Sequence, residues 1–307
     1  NWNEIKSKDK NRLIWKYEED NDSENNNYKD AKYLNQFNKQ RKKITAIGKS
    51  IKIDGILYPE ISSYVPNAFV EDEQKLMTIS IRGISATRGC ETAFKLTCSD
   101  AVLFSDINLY QNEKVSFNIN WAMQSLSNRN EGTKFGEGQT LGFKSAFKLN
   151  NKWSLAIGGD NVVLFDEYSD LGRNLYLIAG TYIPINKSYL IFNAGIGSDF
   201  FGYRGNGYLA RTKCIGKPNL TGEGENSCTW GPITSISFIF NEKLALVNEW
   251  FGYGFGTGLS FKPFRESTLN FSLYVTDYLG NFPKYIKKSC HNESCTPRFY
   301  ANFSLSI

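Results

Sequence analysis

The sequence RFYANFSLSI, residues 298–307, alternates apolar and polar side chains up to its final residue. Its apolar positions are Phe299, Ala301, Phe303, Leu305 and Ile307. Because successive side chains of a β-strand point to opposite faces, this period of two predicts a strand with one apolar and one polar face. A strand at a chain end frays unless neighbours hold both of its edges, so the pattern favours a closed sheet.

The same alternation recurs throughout residues 76–307. The clearest case is VSFNINWAM, residues 115–123, in which Val115, Phe117 and Ile119 lie on one face and Ser116 and Asn118 on the other. Similar patterns predict twelve strands, at about 76–84, 100–109, 113–125, 138–149, 152–163, 173–184, 188–197, 230–241, 243–250, 253–262, 267–278 and 298–307.

The connections between these strands alternate between tight turns and long loops. YQNE, two Asn residues, NK and NE form tight turns, whereas SNRNEGTKFGEG and residues 198–229 form long loops. In an up-and-down sheet, alternate connections lie at the same end, so one end carries the turns and the other the loops. We therefore predict an all-β fold, an up-and-down antiparallel transmembrane β-barrel of about twelve strands. A soluble sandwich or lipocalin-like barrel shows the same alternation turned inside out.

The composition of the two faces favours the membrane barrel. The outward face is aromatic and aliphatic, whereas the inward face carries Lys, Asn, Ser and Gln, together with Gly142, Gly158, Gly195, Gly254, Gly256 and Gly258. Aromatic residues near strand ends are typical of the two interfaces of a membrane. They are Tyr110, Trp153, Tyr182, Tyr189 and Phe264 near the turns, and Trp121, Trp230, Trp250 and Tyr253 near the loops. These features predict a bacterial outer-membrane location.

The N-terminal part differs from the rest of the chain. Residues 1–43 are rich in Asn and charged side chains, and residues 44–58 read as a two-stranded hairpin around Asp54 and Gly55. We divide the chain into a periplasmic extension, residues 1–75, which plugs or underlies the barrel, and the barrel itself, residues 76–307. The extension is a candidate binding site for a periplasmic partner.

The six cysteines form three sequence-local pairs, all at the loop end of the predicted barrel. The pairs are Cys90 with Cys98, Cys214 with Cys228, and Cys290 with Cys295. Disulfides within single loops are the economical interpretation, although other connectivities are possible, and they indicate an oxidising compartment. No pair has C-x-x-C spacing and His291 is the only histidine, so we predict no metal site and no cofactor.

Enzymatic and nucleic-acid functions find little support in the sequence. His291 lies between two cysteines in a predicted loop, which is a poor place for a general base that must reach a strand serine. The net charge of +5 is small and dispersed, unlike the basic patches of nucleic-acid-binding proteins. We therefore expect neither an enzyme nor a nucleic-acid partner.

The inward-facing polar residues predict a pore lining with an excess of cations. They are Arg82, Asn118, Asn120, Gln124, Lys144, Lys148, Asp160, Asn193, Arg298 and Asn302. The long connection 198–229 carries Arg204, Arg211, Lys213 and Lys217, and we predict that it forms a constriction loop at the mouth. Such a lining favours small polar or anionic solutes. Alternatively, these groups only solvate the interior or bind a plug.

The final strand resembles the terminal recognition strand of outer-membrane proteins, except that it ends in Ile307 rather than Phe or Trp. That resemblance implies outer-membrane lipid and the barrel assembly machinery as partners. Three segments, SIKIDGILYPEISSYVPNAF, DLGRNLYLIAGTY and FKPFRESTLNFSLYVTDYLGNFP, resemble uncharacterised outer-membrane barrels of marine cyanobacteria. The predicted function is a porin-like channel for passive passage. The alternative is a structural or surface-receptor barrel without transport.

Overall fold

The structure, a computed structural model, consists of two units, Asn1–Arg41 and Lys42–Ile307. It describes residues 2–6, 13–17, 43–86, 99–126, 135–166, 173–198, 201–202, 209–213, 227–252, 254–265, 267–279, 290, 292 and 297–307. In the first unit, β1 (Trp2–Lys6) pairs antiparallel with β2 (Leu13–Tyr17). Among the described residues, no helix is long and apolar enough to cross a membrane.

The second unit begins with a small antiparallel sheet of three strands, where the sequence predicted two. These are β3 (Ile44–Ile47), β4 (Ser50–Ile53) and β5 (Ile56–Glu60). Asp54 and Gly55 have φ angles of 50° and 82°, so they form the tight turn that joins β4 to β5. Gly48, with φ of 58°, allows a second tight turn between β3 and β4. That second turn creates the additional strand.

The rest of the second unit is a closed barrel of twelve antiparallel strands, as predicted. They are β6 (Met77–Ile84), β7 (Asp100–Gln111), β8 (Val115–Met123), β9 (Gln139–Lys148), β10 (Trp153–Leu164), β11 (Asn174–Ile185), β12 (Ser188–Ser198), β14 (Ser227–Asn241), β15 (Leu244–Phe251), β16 (Phe255–Phe261), β17 (Asn270–Thr276) and β18 (Arg298–Ser306). The short β13 (Ala210–Lys213) pairs with the first residues of β14, outside this ring.

The last strand of the chain closes the barrel against the first. Strand β18 pairs with β6 over seven positions, including Phe303 with Ile81 and Ser304 with Ser80. Ile307 donates its N–H to the carbonyl of Met77 at 2.9 Å and accepts the Met77 N–H at 3.1 Å. The backbone of β18 is therefore paired on this edge up to Ile307, while its side chains alternate between the outside and the lumen.

The two faces of the barrel differ as the alternation predicts. Ser116 and Asn118 of β8 point inward and are almost completely buried. Large apolar side chains on the outside remain exposed, in an arrangement that fits a surrounding bilayer rather than water. They include Ile79, Ile81, Ile157, Val163, Leu177, Ile183, Ile236, Leu259, Phe261, Leu273, Phe299, Phe303 and Leu305.

Residues 43–76, which we call the lumen segment, lie mostly inside the barrel, with exposed residues at both ends of the range. Seven of their apolar side chains pack in one cluster with side chains of the inner wall. They are Ile44, Ala46, Ile51, Ile53, Tyr58, Ile61 and Phe69. The wall contributes Tyr182, Tyr189, Ile191, Ile239 and Ala245, from β11, β12, β14 and β15. An apolar cluster therefore fills this part of the lumen.

Two aromatic residues that the sequence analysis placed in the interfacial girdle belong instead to this cluster. Tyr182 and Tyr189 are only 7% and 5% exposed, and the rings of Tyr58 and Tyr189 meet edge to face at 5.3 Å. The period of two puts both residues on the inward face. The girdle interpretation was wrong because it treated the lumen as wet, whereas the lumen segment provides an apolar partner there.

Strand β8 allows the lipid-facing assignment to be tested at two depths. Ile119 lies in the middle of the strand and Val115 at its turn end, both on the outward face. We expect Ile119→Arg to lower the free energy of unfolding by about 2–4 kcal/mol and Val115→Arg by about 0–1 kcal/mol, because the cost of a charge depends on bilayer depth. Urea unfolding in lipid vesicles measures both. Equal effects would contradict the assignment.

Candidate functional site in the lumen

A single wall carboxylate holds the backbone of the lumen segment. Glu249 of β15 accepts hydrogen bonds from the backbone N–H groups of Ser63, at 2.8 Å, and Tyr64, at 2.9 Å. It also accepts the N–H of Val65 at 3.2 Å. Hydrogen bonds to a charged acceptor are stronger than neutral ones, so Glu249 fixes the segment at this level of the barrel.

A second carboxylate belongs to the lumen segment and binds side chains of the wall. Glu60, at the end of β5, accepts hydrogen bonds from Ser304 at 2.7 Å and from Ser272 at 2.5 Å. The amide of Asn302 donates to both of its oxygens, at 3.0 and 2.9 Å. The buried charge of Glu60 is thus satisfied by strands β17 and β18 on the side of the barrel that closes the ring.

Further polar contacts attach the segment to other parts of the wall. Lys144 of β9 forms an ion pair with Glu71 at 2.6 Å, and Asn193 of β12 accepts the Ala68 N–H at 3.1 Å. Lys262 donates to the carbonyl of Leu57 at 2.7 Å. Strands on several sides of the barrel therefore contact the segment, which limits its movement.

Among the described residues, two neighbouring cavities lie between the segment and the polar side chains of the wall, apart from a third near the turn that joins β7 to β8. The larger measures about 190 Å³ and the smaller about 70 Å³. Both are lined by Lys49, Tyr64, Asp106, Asn120 and Asp160. Because these residues are shared, the cavities are neighbouring parts of one polar region along β7, β8 and β10.

Phe201 borders the larger cavity from the loop end of the barrel. It follows β12, is buried, and its ring meets Tyr176 edge to face at 6.4 Å. Gly252, with φ of 85°, permits this approach, since a Cβ there would lie 2.0 Å from the Phe201 carbonyl oxygen. The described start of the connection 198–229 therefore folds into the lumen.

The predicted pore-lining residues fall into three groups. Arg82, Asn118, Asn120, Lys144 and Asp160 line the cavities, and Asn302 both lines the larger cavity and binds Glu60. Asn193 is buried against the lumen segment. The third group, outside both cavities, consists of Gln124, Lys148 and Arg298.

Two of the four cations in that prediction are already paired. Besides the Lys144 pair with Glu71, Arg298 forms an ion pair with Asp277 at 2.6 Å. The sequence reasoning also missed Asp106, which faces both cavities. Its position opposite Asn120 in the β7–β8 register follows from the alternation, so the strand pattern contained the signal.

The predicted constriction loop and the disulfides fall largely outside the described residues. This is so for Arg204, Lys217, Cys90, Cys98, Cys214, Cys295 and His291, whereas Arg211, Lys213 and Cys228 have a described backbone only. Cys290 is buried. The cysteine pairing and the role of these cations stay predictions. Within the described ranges, no cluster of His, Cys, Asp or Glu could hold a metal ion.

Comparison with solved structures finds bacterial outer-membrane barrels. An outer-membrane channel from Pseudomonas putida F1 is 9% identical, with a TM-score of 0.42, and the match covers 80% of this chain and 100% of the other. Outer-membrane phospholipase A from Escherichia coli is 12% identical, with a TM-score of 0.38 and coverage of 78% and 94%. Pseudomonas putida OprB is 10% identical, with a TM-score of 0.34 and coverage of 76% and 93%.

At these identities and TM-scores, none of the three structures indicates what this chain does. No protein-family model matches the sequence, and no curated protein matches it. None of the three is a cyanobacterial protein, so the resemblance to barrels of marine cyanobacteria gains no support.

The contact between Glu249 and the lumen segment can be tested directly. We expect Glu249→Ala to weaken the local stability of residues 60–70 by about 2–4 kcal/mol, because three buried N–H groups lose their charged acceptor. Hydrogen–deuterium exchange with mass spectrometry, on the full chain in micelles, measures the loss of protection. The matched control is Glu242→Ala, which removes a carboxylate paired with the exposed Arg265. Unchanged protection in Glu249→Ala would contradict the anchoring role.

Proposed function

We propose that the protein is a porin-like channel of the bacterial outer membrane, through which small polar or anionic solutes pass passively. One observation carries the proposal: a closed barrel, apolar outside, contains a polar region with cavities along one side of its lumen. Unfilled space beside polar side chains is what the passage of a small polar solute requires.

The proposed route follows the wall formed by β6 to β10. The sector formed by β11 to β15 is occupied by the apolar cluster around Tyr58 and Phe69, which excludes water and polar solutes. The cavities lie on the opposite side, beside Arg82, Asp106 and Asp160. Only a small solute fits between the segment and this wall.

Charges of both signs lie along the route. It therefore suits small polar solutes and is not expected to select strongly for anions. The two positive charges of Arg82 and Lys49 are equalled in number by Asp106 and Asp160, which line the same cavity without forming ion pairs with them, and Lys144 is paired with Glu71. A lining with both signs of charge gives weak ion selectivity. The anion preference predicted from the sequence therefore depends on cations of the constriction loop, such as Arg204 and Lys217.

The second candidate is a structural or surface-receptor barrel without transport. The observation in its favour is the number of contacts that fix the lumen segment, above all those of Glu60 and Glu249. In that case the cavities would be closed at both ends, and function would lie in the loops.

Conductance in planar bilayers distinguishes these candidates. We expect the full chain to give steady conductance. We expect the double variant Asp106→Asn, Asp160→Asn to shift the reversal potential in a KCl gradient toward anion selectivity, because it removes two negative charges from the lining of the route. Glu242→Gln, in an exposed turn, is the control for a charge change outside the route. No conductance from either the wild type or Glu249→Ala would favour the structural candidate.

The compartment assignment can be tested through the cysteines. Mass spectrometry of unreduced peptides is expected to find Cys90 linked to Cys98, Cys214 to Cys228 and Cys290 to Cys295. Free thiols at these positions would count against an oxidising compartment and against disulfide bonds within the loops. The proposed partners, outer-membrane lipid, the barrel assembly machinery and a periplasmic protein bound through residues 1–75, follow from the same assignment.

A further inference from the structure

Two cations meet inside the larger cavity without an acidic partner. The Lys49 ammonium and Nη2 of Arg82 both donate to the carbonyl oxygen of Ser63, at 2.5 and 3.0 Å. Burial, and secondly the charge of Arg82, lower the pKa of Lys49. Within the described part of the chain, no carboxylate lies within ion-pair distance of either cation.

Arg82 retains an unused donor. Its guanidinium lies over the rings of Tyr64, at 4.9 Å, and Phe104, at 5.2 Å, so the aromatic rings hold its plane in a fixed orientation. The side chain is 92% buried, being 8% exposed, and its Nε has no hydrogen-bond partner among the described residues. A buried donor without an acceptor is costly, which indicates that something else supplies the acceptor.

Two carboxylates line the same cavity from other strands. Asp106 of β7 and Asp160 of β10 form no ion pair with any described residue. Asp160 accepts one long hydrogen bond from Asn120, at 3.4 Å. The third acid of the lining, Glu60, is already satisfied by Ser272, Asn302 and Ser304. Two cations and two anions of the cavity thus lack direct counter-ions.

The space between these groups is large enough for a small solute. A cavity needs only about 10–15 Å³ to hold a water molecule, whereas this one measures about 190 Å³. A simple anion would neutralise Lys49 and Arg82 but leave both acids unpaired. A simple cation would do the reverse.

We propose that this cavity binds a small zwitterionic solute of the amino-acid class, with its carboxylate toward Lys49 and Arg82 and its ammonium toward Asp106 and Asp160. As a statement about the solute that is transported, this rests on the proposed channel. The two ends of such a solute supply the missing acceptor at the cations and the missing donor at the acids. The solute is bound and released unchanged, so the site recognises it and catalyses no reaction.

Isothermal titration of the full chain in detergent micelles tests the proposal. The probes are L-alanine, which carries both charges, acetate, which carries only the carboxylate, and ethylammonium, which carries only the amine. We expect L-alanine to bind at least tenfold more tightly than either single-charge probe. No binding of L-alanine, or binding of acetate or ethylammonium that is equally tight, would overturn the proposal.

Substitutions assign the binding to this cavity. Lys49→Met and the nearly isosteric Asp160→Asn are each expected to weaken L-alanine binding at least tenfold. Lys52→Met is the matched control, because Lys52 lies on the same small sheet but pairs with Asp72 outside the cavity. Because Asp160→Asn keeps the size and shape of the side chain, unchanged L-alanine binding in this variant would overturn the proposal even if Lys49→Met failed to fold.

The conductance measurement separates this inference from the proposed channel. Steady conductance by a wild type that does not bind L-alanine would overturn the inference and leave the channel in place. L-Alanine binding that depends on Asp160, in a protein without conductance, would overturn the channel and leave the binding site.

Discussion

The closure of the sheet between β18 and β6 is the constraint on which the rest of the structure depends. A bilayer offers no water to unpaired backbone groups, so a sheet can cross it only when no edge is left open. Seven paired positions between the two strands, continued by the hydrogen bonds of Ile307 with Met77, remove the last edge. The strict alternation of residues 298–307 follows from the position of this strand in the closed sheet, where one face meets lipid and the other the lumen.

In a closed barrel that crosses a membrane, the side chains of the outer face must be apolar, whereas the polarity of the inner face can vary. On the outside, every strand must present apolar side chains to lipid. On the inside, the lumen segment determines what is suitable: Tyr182 and Ile191 pack against its apolar side, whereas Glu249 binds its backbone. The inner wall therefore combines apolar side chains that pack against the segment with polar side chains that bind it or line the cavities.

This difference explains how much the sequence alone could predict. The strands and their facing depend on a local period of two, which is readable residue by residue, and the register then places Asp106 opposite Asn120. The path of residues 43–76 depends on contacts with strands up to 244 positions away, such as Glu60 with Ser304. Nothing local marks Lys49, a turn residue, as a member of the site, and Tyr182 looks like a girdle residue until its partner Tyr58 is known.

The energies of these contacts bear on how a solute could pass. Burying a large apolar side chain contributes about 1.5–3 kcal/mol, and the segment buries six of them, together with Ala46, in the cluster with the wall. Withdrawing it would also break the hydrogen bonds that Glu249 accepts from the segment and those that Glu60 accepts from the wall. Hydrogen bonds to a charged acceptor contribute about 1.5–3 kcal/mol each. Complete displacement of the segment would therefore be rare without an energy source. In the proposed channel, a passive route would instead run past the fixed segment, along the side where the cavities lie, and this would restrict the solute to molecules of about the size those cavities admit.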